Sequence, residues 1–139
     1  MENEIRTVTE KWMEFAQTDL GIAKHLNDTY YPKPLEVICY HCQQSAEKAI
    51  KSLLIIYNQN DSLPKTHNLS FLLQQVEKHI CVSEDYYDIA DLLTPYGIAA
   101  RYPNEIFIDE RHVCEALNCS EKILCWVNEK ICEYFSESE

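Results

Sequence analysis

The sequence contains very little glycine and proline, with two and five residues respectively in a chain of 139. A phosphate-cradling P-loop needs several closely spaced glycines, so that class of nucleotide site is excluded. The small supply of turn-forming residues also disfavours a fold of many short strands. Leu, Ile, Ala, Glu and Lys, which favour helices, are frequent instead. The composition therefore predicts the all-α class.

Basic residues are scarce as well. Twelve lysines and arginines stand against 23 aspartates and glutamates, which gives a formal net charge of −11 at pH 7. The summed field of such a surface repels a phosphate backbone. General nucleic-acid binding is therefore excluded, and only a local basic patch would hold a nucleotide or RNA.

Long apolar runs are absent too. No stretch approaches the roughly 18 apolar residues of a membrane span, and residues 1–12 lack the apolar core of a signal peptide. We therefore expect a cytoplasmic protein with no membrane contact. With 46% hydrophobic residues, the chain is long enough for one core and too short for two ordinary domains. Residues 1–139 are predicted to form a single domain.

Apolar residues recur at intervals of three and four along most of the chain, which is the periodicity of amphipathic helices. The pattern predicts four long helices and one short one, over residues 5–26, 35–57, 69–76, 84–99 and 110–135. The side chains expected to cap the last three are Asn68, Ser83 and Asp109. Together these elements predict an up-and-down four-helix bundle with an additional short helix.

The first helix carries one residue that does not fit its apolar stripe. The stripe, which we expect to face the core, consists of Ile5, Val8, Trp12, Phe15, Ile22 and Leu26. Asp19 lies within it, and an unpaired buried carboxylate is strongly destabilising. Asp19 is therefore predicted to pair with a lysine, arginine or histidine, either as a structural tie to a neighbouring helix or as part of a ligand site.

The second predicted helix has two different faces. Its core face is formed by Cys39, Cys42, Ala46, Ala49, Ile50, Leu53 and Tyr57. A second seam passes through Val37, His41, Gln44, Lys48, Lys51 and Ile55. Because apolar residues end a polar seam, we predict packing against another copy in a homodimer, with an interface of Val37, His41, Gln44 and Ile55. A solvated face and a ligand site are the alternatives for this seam.

The seven cysteines are an odd number, and most fall on apolar helix positions. Cys39 and Cys42 form a CxxC pair, which together with His112, Cys114 and Cys119 supplies enough zinc ligands on paper. Zinc-binding CxxC pairs lie on turns, however, whereas this pair lies on the apolar face of a helix. We therefore predict buried, reduced thiols, no metal and no cofactor. No GxSxG nucleophile elbow occurs either, so catalytic residues stay unassigned.

Three stretches of the sequence resemble the HEPN domain family: CYHCQQSAEKAIKSLL over residues 39–54, THNL over 66–69 and ARYPNE over 100–105. The segment from Phe15 to Ala23, with its Asp-Leu pair, is similar to the first helix of that family. The resemblance implies a helical bundle, commonly a dimer. It also implies one of three roles: partner of a minimal nucleotidyltransferase in a toxin–antitoxin pair, nucleotide-binding domain, or metal-independent ribonuclease.

The ribonuclease members of the family carry an arginine followed about four to six residues later by a histidine. Here Arg101 is followed by Tyr-Pro, and the next histidine, His112, lies eleven positions on. This difference disfavours an enzyme. The residues that match the branch without the motif are Gln44, Glu47, Lys48, Lys51, His67, Arg101, Tyr102 and Pro103.

The sequence therefore predicts a non-catalytic HEPN-type domain that binds a nucleotide or a minimal nucleotidyltransferase partner, in a toxin–antitoxin-like pair. We expect a nucleotide or RNA ligand at a locally basic cleft formed by Asp19, Lys48, Lys51, His67, Arg101 and Tyr102. Two alternatives stay open. One is a structural or regulatory dimeric interaction domain, and the other is a ribonuclease or toxin with a variant site of Arg101, His112 or His67.

Overall fold

The structure, a computed structural model, describes residues 2–58, 62–99 and 107–137. Within these ranges it contains helices and no strand: α1 Glu2–Thr29, α2 Leu35–Tyr57, α3 Leu69–Glu77, α4 Glu84–Leu93, α5 Tyr96–Ala99 and α6 Glu110–Glu137. The predicted all-α bundle is confirmed. None of the described helices combines the length and the apolar composition that crossing a bilayer requires.

Three helices begin at the predicted capping side chains. Asn68 precedes α3 and accepts a hydrogen bond from the backbone N–H of Phe71 at 3.0 Å. Ser83 precedes α4 and accepts one from the N–H two residues on, at 3.3 Å. Asp109 precedes α6 and accepts from the N–H groups two and three residues on, at 2.9 and 3.2 Å. Each cap satisfies donors that have no partner inside the helix.

The helix predicted over residues 84–99 is wrong as a continuous element. α4 ends at Leu93 and the chain turns at Thr94 and Pro95 before the single turn of α5. Proline has no backbone N–H to donate, and its ring clashes with the carbonyl four residues earlier. Pro95 therefore already indicates this interruption in the sequence. It lies eight residues before Pro103, the proline taken to end the predicted helix.

The central helix of the bundle is α2, which packs against α1, α3, α5 and α6. It is antiparallel to α1, to which residues 30–34 connect it. The hydroxyl of Ser45 donates to the carbonyl oxygen of Ala16 on α1 at 2.7 Å. On the α6 side, the hydroxyl of Ser120 donates to the carbonyl oxygen of Cys42 at 3.0 Å. Short side chains at both contacts let the backbones of three helices approach closely.

The apolar stripe predicted for the core face of α1 is only partly covered: Leu26 packs against the core, and Ile5 and Trp12 are half-buried, but the rest of the stripe lies on the outer flank. Val8, Phe15 and Ile22 are 45%, 45% and 38% exposed. The residues that face the core are Thr9, Met13, Ala16, Leu20 and Ala23. The flanking set, called the outer α1 stripe below, comprises Ile5, Val8, Trp12, Phe15, Ile22 and Leu26.

The size of the side chains explains this difference. Ala16 and Ala23 are fully buried against the bundle, and their small size permits the Ser45 hydrogen bond to the α1 backbone. A stripe chosen by hydrophobicity favours large residues, so the pattern pointed to the neighbouring flank. α1 therefore has two apolar faces, and the described residues leave Val8, Phe15 and Ile22 on the second face exposed.

Candidate functional site

Asp19 lies at the contact between α1 and α2 and is only 7% exposed. Its Oδ1 is 3.0 Å from Nδ1 of His41, and its Oδ2 is 2.5 Å from Nζ of Lys48. These two partners are seven residues apart, hence about two turns apart on one face of α2. The cationic partner predicted for Asp19 is present, and Lys48 supplies it.

A second buried carboxylate, Glu47 on α2, is 4% exposed. Nζ of Lys51 lies 3.0 Å from its Oε2, and Nδ1 of His67 lies 2.8 Å from its Oε1. The amide nitrogen of Gln43 also donates to Oε1, at 3.1 Å. We call Gln43, Glu47, Lys51 and His67 the Glu47 cluster. It attaches the segment before α3 to the central helix.

Gln43 is fully buried and connects three parts of the bundle. Besides Glu47, its amide nitrogen donates to the backbone carbonyl of His67 at 3.1 Å, and its Oε1 accepts from the amide of Gln44 at 2.7 Å. On its other side lies Gly97 of α5, where an added Cβ would be only 2.8 Å from Cδ of Gln43. The amide is therefore fixed both by hydrogen bonds and by the close approach of α5.

Of the six residues expected to share one nucleotide cleft, the four that the structure describes make two separate sets of contacts. Lys48 contacts Asp19, whereas Lys51 and His67 contact Glu47. The physical reason is that Glu47 supplies a second buried carboxylate, which attracts the cations nearest to it. Arg101 and Tyr102 lie outside the described residues, so the shared cleft stays a prediction.

The charges of these two places balance. The two carboxylates of Asp19 and Glu47 each have one lysine, Lys48 and Lys51, within 3.0 Å. The formal charges of these two lysines and two carboxylates therefore sum to zero. Buried ion pairs of this kind fix geometry and offer little attraction to a phosphate group.

Sequence reasoning missed Gln43 and used Glu47 only as a family match. A signal was available, because Gln43 and Glu47 lie on the same face of α2 as Ile50 and Leu54, which are fully buried. Two polar residues on a buried stripe indicate an internal hydrogen-bond network, just as Asp19 does in α1. The core face predicted for α2 therefore contains fewer residues than the face that the structure buries.

The proposed interface seam of α2 is mostly occupied by contacts within the chain. His41 is bonded to Asp19 and Gln44 to Gln43, while Ile55 is partly buried. Val37 alone among the four predicted interface residues is exposed, at 42%. The homodimer stays a prediction, and the exposed residues of the outer α1 stripe together with Val37 offer an apolar surface for it.

His67 and His112 differ in what holds them. The His67 side chain is 55% exposed, and Nδ1 is engaged by the buried Glu47, so Nε2 is the nitrogen left to face other groups. His112 accepts the backbone N–H of Asp109 at Nδ1, at 3.0 Å, within the cap of α6. A histidine fixed by a carboxylate has the arrangement of a general base, whereas the His112 bond belongs to helix capping.

Cys39 and Cys42 are fully buried, as predicted. Burial, reinforced by the nearby Glu36, raises the pKa of the Cys39 thiol to about 12. Burial likewise raises the pKa of Cys42 far above its ordinary value. Both groups are therefore neutral thiols near pH 7. Across residues 2–58, 62–99 and 107–137, no group of three or more His, Cys, Asp or Glu side chains is placed to hold a metal ion.

Three surface cavities lie away from both carboxylates. One of about 500 Å³ lies between α1 and the end of α6, and one of about 820 Å³ lies between α4 and α6. The third, of about 420 Å³, lies on the outer face of α1 around Val8, Trp12 and Phe15. Neither Asp19 nor Glu47 lines any of them, so both act within the bundle.

The described helices form an all-α bundle with two buried carboxylate contacts at its centre. A family model for the HEPN domain matches residues 9–130. The chain therefore belongs to the HEPN domain family, and the resemblance seen in the sequence is confirmed.

Two solved structures are similar to the chain. The crystal structure of TT1696 from Thermus thermophilus has a TM-score of 0.75 and 28% sequence identity, covering 88% of this chain and 97% of that one. The structure of ST0689, an archaeal HEPN homologue, has a TM-score of 0.68 with the same identity and coverage. No curated protein matches the chain.

Proposed function

We propose that the chain is a non-catalytic HEPN interaction domain that forms homodimers and binds a protein partner of the minimal nucleotidyltransferase class. One observation carries the proposal: Val8, Phe15 and Ile22 expose large apolar side chains in one line along α1. Single exposed apolar residues are ordinary, but a continuous strip is characteristic of protein-binding surfaces. The class of partner comes from the family.

The electrostatics support a protein partner over a phosphate ligand. Lys48 and Lys51 are each neutralised by a carboxylate of the same chain, and the formal net charge is −11. A nucleotide would therefore need a cation other than Lys48 and Lys51 for its phosphate contact. An apolar strip on an acidic protein needs no such cation, since burial of apolar surface drives its association.

Light scattering tests the self-association. The proposal predicts twice the protomer mass of 16.3 kDa at micromolar concentration. A protomer mass under these conditions would remove the homodimer from the proposal. The neighbouring gene tests the class of partner: a small nucleotidyltransferase encoded there is expected to co-purify after coexpression, and an isolated gene would count against this partner.

Titration calorimetry separates the protein partner from a nucleotide ligand. With ATP, GTP and short RNA as probes, we expect no heat of binding, because Lys48 and Lys51 are each already paired with a carboxylate. Binding that weakens as salt rises, as phosphate contacts do, and that is lost in Arg101→Ala would show that the chain binds a nucleotide instead.

A metal-independent ribonuclease is the second candidate, and the Glu47–His67 pair favours it. The buried carboxylate fixes the imidazole through Nδ1 at 2.8 Å, and the ring is more than half exposed. Such a histidine is suited to general acid–base chemistry. Incubation of short RNA in the presence of a chelator tests this candidate. The ribonuclease candidate predicts that the wild type and His112→Ala cleave the RNA and that His67→Ala does not. If the wild type leaves the RNA intact, this candidate is eliminated.

A further inference from the structure

The spacing of the outer α1 stripe identifies the kind of element that covers it. Val8, Phe15 and Ile22 form an exposed line at intervals of seven, whereas the half-buried Ile5, Trp12 and Leu26 and the buried Asp19 occupy the alternate positions of the same heptads. A strict seven-residue repeat keeps one seam facing a partner helix over several turns. The stripe extends for about 32 Å from end to end, given a rise of 1.5 Å per residue. Its occupant is therefore a long helix.

A second copy of α1 fits this requirement because the exposed line is symmetrical about its centre. Val8 and Ile22 are each seven residues from Phe15, and all three are exposed to a similar degree. When two copies meet around a twofold axis through Phe15, Val8 faces the partner's Ile22 and Phe15 faces its own equivalent. Such self-complementarity is what an isologous interface requires.

The polar rim decides the orientation. Four exposed residues, spaced seven apart, lie along one side of this line: Glu4, Lys11, Thr18 and His25. In an antiparallel pair Glu4 lies opposite the partner's His25, and Lys11 lies opposite the partner's Thr18. In a parallel twofold pair this rim faces the other flank of the partner's line, where Trp12 and Asp19 lie, so the contact between Glu4 and His25 is not made. The antiparallel arrangement makes this contact and brings no like charges together along the rim.

We propose that α1 of one copy pairs antiparallel with α1 of a second copy, with Phe15 at the twofold axis. Val37, one turn before His41 on α2, extends the apolar surface beyond α1. The inference rests on the proposed self-association and adds the identity, direction and register of the partner helix. The ion pair between Asp19 and Lys48 then lies beneath this interface. It fixes α1 and α2, which carry the apolar surface, relative to each other.

Engineered cysteines test the register, because a disulfide forms only when two Cα atoms lie about 4.4–6.8 Å apart. Phe15→Cys is expected to form a crosslinked dimer by itself under mild oxidation, about tenfold faster than wild type or more, because proximity raises the effective thiol concentration. Val8→Cys and Ile22→Cys proteins are expected to crosslink when mixed and to remain largely uncrosslinked alone. Wild type controls for the native cysteines.

Phe71→Cys is the matched control variant, since Phe71 on α3 is 43% exposed and lies off the stripe. Crosslinking of Val8→Cys and of Ile22→Cys each alone, in preference to the mixture, would establish a parallel pair and overturn the inference. A wild-type dimer in which Phe15→Cys crosslinks no faster than Phe71→Cys would also overturn it, while the proposed function stands. A monomeric wild type would remove both.

Discussion

Lys48 on α2 places its ammonium nitrogen 2.5 Å from Oδ2 of Asp19 on α1. The carboxylate is buried, whereas the lysine side chain keeps 30% of its surface exposed. The pair therefore fixes the position of α1 on α2 from within while its cation remains at the surface. Its energetic role can be measured against an exposed ion pair between α1 and α6.

A double-mutant cycle with Asp19→Asn and Lys48→Met measures this pair. Asp19→Asn is expected to lower the free energy of unfolding by about 1–3 kcal/mol, because a partly buried ammonium loses its counter-charge. The exposed pair of Lys24 and Glu121, with side chains 47% and 53% exposed, is the control, and its coupling is expected to be about 0–1 kcal/mol. Denaturation at one fixed protein concentration gives both values. A smaller coupling for Asp19 and Lys48 than for the control pair would contradict the structural role.

The two glycines should respond to alanine with opposite signs. At Gly97 the new Cβ would lie 2.8 Å from Cδ of Gln43, whose hydrogen bonds prevent it from moving aside. Gly97→Ala is therefore expected to lower the free energy of unfolding by about 1–3 kcal/mol. Gly21 lies within α1 and has nothing within 4 Å of the added Cβ. Gly21→Ala is expected to raise stability by about 0.5–1 kcal/mol. A neutral or stabilising Gly97→Ala would show that α5 does not press on Gln43.

Thiol reactivity should divide the seven cysteines into groups. Cys39 and Cys42 are fully buried and their pKa values are raised, so both are protonated and inaccessible at pH 8. The four exposed cysteines, Cys81, Cys114, Cys125 and Cys132, are expected to react rapidly with a thiol reagent. All seven should react after unfolding. Rapid labelling of Cys39 or Cys42 in the native protein, located by peptide mass, would show that the α2 core opens readily.

The helices and their starts followed from the sequence because they depend on local chemistry. Asn68, Ser83 and Asp109 cap their helices through bonds to nearby backbone groups, and apolar periodicity sets the extent of α2. The break at Pro95 was also local and could have been predicted.

The pairing of helix faces depended on information that periodicity does not contain. α1 has two apolar faces, and the choice between them is made by the fit of Ala16 to Ser45 across the bundle. The ion pairs were predictable only in part. A buried Asp19 predicts a cationic partner. Whether Lys48 or Lys51 is that partner depends on the carboxylate of Glu47, which binds Lys51, and this competition is visible only in the folded structure.

Sedimentation equilibrium of wild type, Phe15→Asp and Phe71→Asp tests the central claim, which is that the outer α1 stripe joins two copies of the chain. Phe15 and Phe71 are exposed to nearly the same degree, so the two substitutions perturb the folded protomer similarly. At the same micromolar concentration, wild type and Phe71→Asp should have twice the protomer mass of 16.3 kDa. Phe15→Asp should have the protomer mass, because two unpaired carboxylates would face each other at the twofold axis. A wild type at 16.3 kDa, or a Phe15→Asp variant that associates as tightly as Phe71→Asp, would contradict the account.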